Sequence, residues 1–483
     1  MTAGPAGHRD LSFWFDAIAG SGTDPLIARP GLRRDARFDV CIVGGGLTGL
    51  WTAYYLATAD PTLRIAVLEK HIAGFGASGR NGGWCSALFP RSTASLERRH
   101  GRDAAIAMRR AMIDTVDEVG RVAAAEGIDC DYVKGGTVAF ARDAVQDAAA
   151  RADAAEAASY GVDVVEYWDA ETVRARFGAT ADGSAPGNRE AGALGASFDA
   201  SCARVQPAKL VRGLARVVEA LGVSIFEGTR VDDWAAHRVR FTTDADGDAF
   251  EGTVIATHVV VAVEGYGAQL PRVGRRVLPL YSLMIATEPL SDAVWDEIGI
   301  RHGQTFTDYR HLLVYGQRTA DNRFAFGGRG ARYHWGSSIR PEYDRVDSVF
   351  EHLRNALVDL FPQAADAHVT HRWGGPLGVP RDWHATVSYN ARTGVGFAGG
   401  YVGDGLSTTN LAGRTLADLI RGEQSELTAL PWVNHRSPLW EPEPLRFAGA
   451  NLGLLGMEIA DIEQRTTRRP SLAARLIGPL TGH

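Results

Sequence analysis

The sequence predicts an α/β fold: a Rossmann-type dinucleotide-binding domain interleaved with a mixed-sheet domain and followed by a helical C-terminal tail. Three observations carry this expectation. Residues 38–68 read as strand, glycine turn, helix and strand, one βαβ unit. A long β-type run over 254–263, and a strand, Gly-rich loop and helix over 394–420, return to that pattern after an excursion. Between them, residues 276–326 are dominated by short strands with few helices, which marks a separate mixed sheet.

Each element has a local reason. Residues 38–43 are apolar and β-branched, as a buried strand requires. The helix over 47–59 ends near Asp60-Pro61, and 64–68 is the second strand. Residues 103–126 form a long amphipathic helix. Strands over 135–141 and 164–167 flank an Ala-rich helix at 143–159, and helix 207–221 leads to strand 223–226. Strands follow at 278–286, 312–315 and 324–326, and then a helix at 345–360 that stops before Phe361-Pro362. The tail carries a helix over 451–465 whose apolar positions Leu452, Leu455, Ile459 and Ile462 are expected to pack on the chain itself. The resulting partition assigns 38–132, 195–270 and 370–425 to the dinucleotide domain and 133–194 and 271–369 to the second. Residues 1–37 are a leader and 426–483 a helical extension.

Composition excludes several classes. The chain has 483 residues, 45% hydrophobic and 22% charged, with net charge −6 and no basic stripe, which argues against nucleic-acid binding. No window holds enough consecutive apolar residues for a membrane span. Cys41, Cys85, Cys130 and Cys202 form no C-x-x-C pair, so neither a metal site nor a disulfide framework is expected, and a cytoplasmic location fits best.

Gly44, Gly46 and Gly49 form G-x-G-x-x-G between a strand and a helix. The first glycine permits the tight turn, the second lets backbone approach a pyrophosphate, and the third lets helix pack on strand. Leu47 and Thr48 open the helix, whose N–H groups and dipole favour phosphate. Glu69, 20 residues beyond Gly49, ends the next strand, where a carboxylate accepts hydrogen bonds from an adenosine ribose. Its charge repels a 2′-phosphate, so FAD and NAD remain. A second Gly-rich loop follows Glu69 and Lys70, with Ser78, Arg80, Asn81, Gly82 and Gly83, and a third holds Gly403, Asp404, Gly405, Leu406, Ser407 and Thr408. A nicotinamide dehydrogenase needs neither. The second carries the chain past the pyrophosphate towards a flavin ring, and the helix after the third aims its N-terminus at the pyrimidine side of that ring.

Together these stretches resemble the FAD-dependent amine and amino-acid oxidoreductases of the D-amino-acid oxidase superfamily, in particular the gamma-glutamylputrescine oxidase-like branch. The likeness rests on 77–83, the aromatic leader Ser12-Phe-Trp-Phe15, the stretch 202–210, Val231 as an adenine contact and Trp373-Gly-Gly-Pro376. It implies an FAD-dependent amine oxidase. A hydride passes from a primary or secondary amine to flavin, the imine hydrolyses to an aldehyde or ketone, and O2 reoxidises the flavin to give H2O2. A dehydrogenase using a carrier or quinone acceptor, and a non-catalytic flavin-binding subunit, are the competing readings.

The chain also departs from the family. No cysteine follows Cys202, so the sarcosine-oxidase type of flavin tether is absent and FAD is expected to be non-covalent, with Cys85 the one nearby exception. Ala325 stands where that branch has an oxygen-activating lysine. Leu377 and Ser407 stand where relatives place cations for a substrate carboxylate. A carboxylate needs a charge-assisted partner in a desolvated pocket. The expected substrate is therefore an amine without an adjacent carboxylate, or one whose acid lies elsewhere. Tyr315 and Arg329 fall where the family lines the catalytic pocket, and Trp84, His334 and Trp373 are further pocket candidates. An oligomer is compatible with all of this.

Overall fold

The computed structural model describes residues 5–162, 164–177, 192–245 and 248–481. Two sheets of eight strands dominate them, and a two-stranded ribbon pairs Trp84–Ser86 with Cys202–Arg204.

The first sheet runs Thr386–Asn390, Val395–Gly399, Asp248–Val261, Ala36–Val43, Ile65–Leu68, Ser224–Phe226. Its centre is parallel: Ala36–Val43 pairs with Asp248–Val261 on one side and Ile65–Leu68 on the other. Such strands are covered on both faces, which explains the unbroken apolar run Val40 to Val43. The helix Leu47–Ala59 is buried almost all round, between this sheet and the helices Pro207–Ala220 and Gly405–Arg421. The hairpin Thr229–Ala235 and Arg238–Ala245 extends the first half of the long strand.

The second sheet runs Val369–Val379, Leu278–Thr287, Phe324–Ala331, Val314–Arg318, Thr305–Asp308, Thr137–Ala141, Gly195–Asp199, Val165–Asp169. It is mixed: Thr305–Asp308 lies parallel to Thr137–Ala141, and the other neighbours are antiparallel. Phe306, Phe324, Phe326 and Phe361 fill the space beneath it together with the helix Asp347–Leu360. Two segments fall on the other side of the expected partition. Residues 195–199 and 370–379 belong to this second sheet, because each is hydrogen-bonded along its length to strands of it. Period-two patterning marks a strand but not its partner. Of the expected second-domain range 133–194, residues 163 and 178–191 lie outside the described residues.

The leader is a structural part rather than a tail. Ser12 caps the helix Phe13–Gly20, which buries Phe13, Trp14, Phe15 and Ile18. Ser12 Oγ donates to the Gly79 carbonyl at 2.9 Å and Trp14 Nε1 to the Asn81 carbonyl at 2.7 Å, bracing the second Gly-rich loop from behind.

The C-terminal extension overturns one expectation. Its helix runs Leu445–Thr467 and packs inward through Gly453, Leu454, Gly456, Met457, Ala460 and Gln464. The stripe expected to pack on the chain faces outward instead: Leu452, Leu455, Ile459 and Ile462 are 60%, 48%, 46% and 66% exposed. Gly456 lies against Ile477 of the helix Leu472–Thr481, and the helix meets the body through Leu454, Asp461 and Gln464.

Candidate flavin site

A cavity of about 410 Å³ opens where the parallel strands end, with Val43, Leu68 and Ala262 on its floor. This is the usual ligand position in an open α/β sheet. Of the residues expected to hold the cofactor, Gly44, Gly46, Leu47, Thr48, Glu69, Lys70, Ser78, Asn81, Val231, Gly403, Gly405 and Leu406 line it. Two helix N-termini, at Leu47 and Gly405, point into the same space. Their dipoles supply positive potential without a cluster of cationic side chains.

The glycines act through space they leave empty. Gly44 has φ +106°, and a Cβ there would lie 2.4 Å from the Ala262 carbonyl oxygen. Gly49 does not touch the cavity; its Cβ would meet the Gly44 carbonyl oxygen at 2.1 Å, so it fixes helix against strand. Ser78 Oγ accepts a hydrogen bond from Leu47 N at 2.9 Å, which ties the second glycine loop to the first helix end.

Glu69 accepts from Gly45 N at 2.8 Å and His71 N at 2.9 Å. Burial outweighs these bonds and pushes its carboxyl up to about 7. Ribose hydroxyls donating to this group favour its charged form, so cofactor binding lowers that value. Flavin affinity is therefore expected to be full above about pH 7 and to fall as pH drops through it. Titration of flavin fluorescence from pH 8 to 5.5 measures this. Glu69→Gln should weaken binding at least tenfold, the scale of about 1.5–3 kcal/mol for a hydrogen bond to a charged group, and should flatten the pH dependence. A pH profile unchanged in Glu69→Gln would reassign it, and Glu264 is the group that would then account for it.

Glu264 was not marked by the sequence reading. Burial pushes it to about 7 as well, against bonds accepted from Gly400 N (2.9 Å), Tyr401 N (3.3 Å) and Gly378 N (3.2 Å). It has φ +42°, a conformation L-residues seldom adopt. From the end of the long central strand it holds the strand after Trp373 and the third glycine loop in register. The available signal was an acid at the end of an apolar strand, the same pattern that drew attention to Glu69.

Other expected ligands have different jobs. Arg80 is buried; its guanidinium donates to Asp344 (2.8 Å), the Gly374 carbonyl (3.0 Å) and Tyr266 Oη (2.5 Å), so it clamps the second glycine loop to the second sheet. Gly82 and Gly83 sit against Tyr315 and Gln317, where a Cβ would come within 2.4 Å and 2.1 Å of their side chains. Ser407 Oγ donates to the Ser86 carbonyl, and Thr408 Oγ1 to the Asp404 carbonyl, both away from the cavity lining.

On the second sheet's side, Tyr315 donates to or accepts from Ser282 Oγ at 2.8 Å and meets Trp84 edge-to-face with ring centroids 5.8 Å apart. Trp84 Nε1 donates to the Gly316 carbonyl. Arg329 donates to the Val402 carbonyl at 3.2 Å and lies over the Trp383 ring, 5.1 Å from its centroid. Desolvation lowers its pKa while Asp404 and Tyr315 oppose the shift; burial pushes Asp404 up to about 6, with Arg329 pulling the other way. Arg329 lines a small cavity of about 10 Å³ that shares Leu377 with the large one. Tyr315 and Trp84 line neither the large nor the small cavity, and the two remaining pocket candidates lie elsewhere. Trp373 is buried and donates to the Arg80 carbonyl at 2.9 Å, as a core strut. His334 is stacked on Tyr343 and edge-on to Tyr281, and lines neither cavity.

A carboxylate at the adenosine position, a side-chain-free glycine cradle and two helix ends on one cavity fit FAD. Comparison with known proteins agrees. The FAD dependent oxidoreductase family model matches residues 39–419, and the chain belongs to that family of flavoenzymes. It is 30% identical to gamma-glutamylputrescine oxidoreductase of Escherichia coli (strain K12), over 82% of this chain and 87% of the relative. It is 29% identical to a probable oxidoreductase, OrdL, of Haemophilus influenzae, over 83% and 86%. Among solved structures, glycine oxidase from Geobacillus kaustophilus superposes with TM-score 0.65 at 21% identity, covering 83% of this chain and 99% of that one. The expected fold class and cofactor are both borne out.

Proposed function

We propose that this flavoenzyme oxidises a primary or secondary amine that also carries an acidic group away from the reacting carbon. Bound FAD would accept the hydride from the carbon bearing nitrogen and pass the electrons to O2, giving an imine, then a carbonyl compound by hydrolysis, and H2O2. The observation that carries the reading is the half-buried Arg329 beside the flavin cavity. Only one of its N–H groups meets a protein acceptor, and no carboxylate forms an ion pair with it among the described residues. A desolvated guanidinium in that state suits a substrate carboxylate. Leu377 and Ser407 offer no cation, so Arg329 is the anion-binding group we assign.

Tyr315 and Trp84, which meet edge-to-face, are the aromatic pair we assign to the amine end, and Asp404, near enough for its charge to be felt by Arg329, is the carboxylate we assign to a cationic nitrogen. The four cysteines are buried and none lines the cavity, which supports non-covalent FAD and a reducing cytoplasm. Among the described residues no helix is long and apolar enough to cross a membrane.

One observation favours a dehydrogenase as the second reading. Ala325 is buried among apolar side chains, Lys209 and Lys134 pair with Asp131 and Asp117, and Lys70 lies at the Glu69 end of the cavity. No lysine therefore stands beside Ala325 to promote reaction with O2. Anaerobic mixing with a panel of amines should bleach the flavin absorbance, fastest for those bearing a remote carboxylate, and air should restore it with H2O2 formed in equal amount. Bleaching without recovery in air would move the assignment to the dehydrogenase; no bleaching across the panel would end the amine reading.

A further inference from the structure

We propose that Leu454, supplied by the C-terminal extension, sets how long an acidic amine the substrate site accepts. The assignment rests on the reading of Arg329 as the group that binds the substrate's remote carboxylate. The family match ends at residue 419. Leu454 lies beyond it, on the helix Leu445–Thr467, yet it lines the small cavity beside Arg329 together with Leu280, Leu377, Val379, Trp383 and Val402. Leu377 lines both this space and the flavin cavity, and Leu454 is the wall that the extension contributes. The space measures about 10 Å³, room for about one water molecule. Apart from Arg329, its lining carries no charged side chain. A carboxylate pushed past the guanidinium would enter apolar surroundings without a partner, which is costly. The carbon chain between amine and acid must therefore match the span from the flavin cavity to Arg329, and Leu454 fills space that a longer chain would need.

The backbone of the same wall is strained. Trp383 and Val402 have φ +55° and +57°. L-residues seldom hold that conformation, a β-branched valine least of all, and such strain collects at ligand-binding sites. Both strained residues meet Arg329: the Val402 carbonyl accepts its hydrogen bond at 3.2 Å, and the Trp383 ring lies under its guanidinium.

The extension is held firmly where it meets that wall. Trp440 is buried in one apolar cluster with Val379, Trp383 and Val402, and its Nε1 donates to the Val379 carbonyl at 2.7 Å. Trp440 N donates to the Arg275 carbonyl at 2.9 Å, and Arg275 Nε to the Trp440 carbonyl at 2.7 Å. Just before Leu454, Asn451 accepts from Tyr333 N and donates to the Tyr333 carbonyl, each at 3.1 Å. Further along the helix, Asp461 accepts from His311 N and Leu312 N at 2.7 and 2.9 Å. A side chain on a helix anchored at both ends discriminates by size instead of giving way.

A series of straight-chain ω-amino acids, lengthened one methylene at a time, tests this on the flavin-loaded full chain. Mixed anaerobically, each acid registers binding as a shift of the flavin absorbance and oxidation as its bleaching, and isothermal titration gives the affinity independently of both. The wild-type chain should show an optimum length, with affinity falling about tenfold or more when one methylene is added beyond it. Leu454→Ala should move the optimum to a longer acid and Leu454→Phe to a shorter one, with flavin content unchanged in both, since Leu454 does not line the flavin cavity. Leu454→Val makes the same test as the alanine variant with a smaller loss of packing. A wild-type protein without an optimum, or an optimum that stays at one length in all three variants, would overturn the assignment of Leu454 and leave Arg329 in place. An optimum that moves as expected without any bleaching would uphold Leu454 and end the amine-oxidation reading. No binding at all, or binding that Arg329→Met leaves untouched, would end the Arg329 reading and the assignment of Leu454 with it.

Discussion

Gly44→Ala is expected to yield folded protein that purifies without flavin. The residue has φ +106°, and the added Cβ would stand 2.4 Å from the Ala262 carbonyl oxygen on the neighbouring central strand. Neither problem relaxes locally, because Gly44 N is also bonded to the Leu68 carbonyl at 2.9 Å, and Ala262 N to the Val43 carbonyl. The turn must open, and opening it moves the first N–H groups of the helix away from where a pyrophosphate would sit. Backbone strain of about 1–3 kcal/mol, added to lost phosphate bonds, makes a fall in affinity of about 100-fold or more reasonable. The ratio of flavin to protein absorbance and the thermal shift on adding FAD read it directly. Gly449→Ala is the control, since its Cβ would meet nothing within 4 Å and it has no positive φ. A Gly44→Ala protein with wild-type flavin content would show that the cradle at Gly44 does not decide cofactor binding.

The same turn shows why so much was legible in the sequence. Gly44, Gly46, Gly49 and Glu69 lie within one βαβ unit, where spacing alone fixes geometry. The reading of them needed no tertiary information. Ser78 and Leu406 were legible for a similar reason, each within a glycine-rich loop, the second of them followed by a helix. What stayed hidden depends on partners distant in sequence. Arg80 reads as a cofactor ligand until Asp344 and Gly374 appear beside it, 264 and 294 positions away. Trp373 reads as a pocket wall until its indole is found on the Arg80 carbonyl. Residues 195–199 fall in the range expected for the dinucleotide domain, yet both their neighbours are strands of the second sheet. Period and propensity give an element and its buried face, but not which of two sheets receives it. The C-terminal helix is the sharper case: its amphipathic pattern was correctly seen, yet the face with larger apolar residues points outward. How it is turned is set by partners distant in sequence: Asp461 accepts from the backbone of His311 and Leu312, and Gln464 donates to Asp143.

These long-range clamps also order the site. The leader helix braces the second glycine loop through Gly79 and Asn81, Arg80 fastens that loop to the second sheet, and Glu264 fastens the third loop to the end of the first. The cavity is thus held from both sheets, which is the preorganisation an oriented hydride transfer requires.

Arg329→Met tests whether that preorganised space serves an acidic amine. Methionine keeps an unbranched apolar stem and removes the charge, together with the guanidinium that lies over Trp383. For an amine with a remote carboxylate, kcat/KM should fall by about 100-fold or more, as expected when one partner of a desolvated charge pair costs about 2–5 kcal/mol. For the corresponding methyl ester the wild-type and variant values should converge, and flavin content should be unchanged, because Arg329 does not line the cofactor cavity. The pH profile supplies a second readout. Arg329 lowers the Asp404 pKa against burial, which leaves it at about 6, so removing the guanidinium moves that carboxyl upward. If the ionised carboxylate receives the substrate nitrogen, activity is present above this pKa and lost below it, and the acidic limb should shift to higher pH in the variant. Arg329→Lys should restore part of the rate and return the limb towards its original position. An equal loss for acid and ester would make Arg329 a structural residue, and a stationary acidic limb would remove Asp404 from the substrate site while leaving the arginine in place.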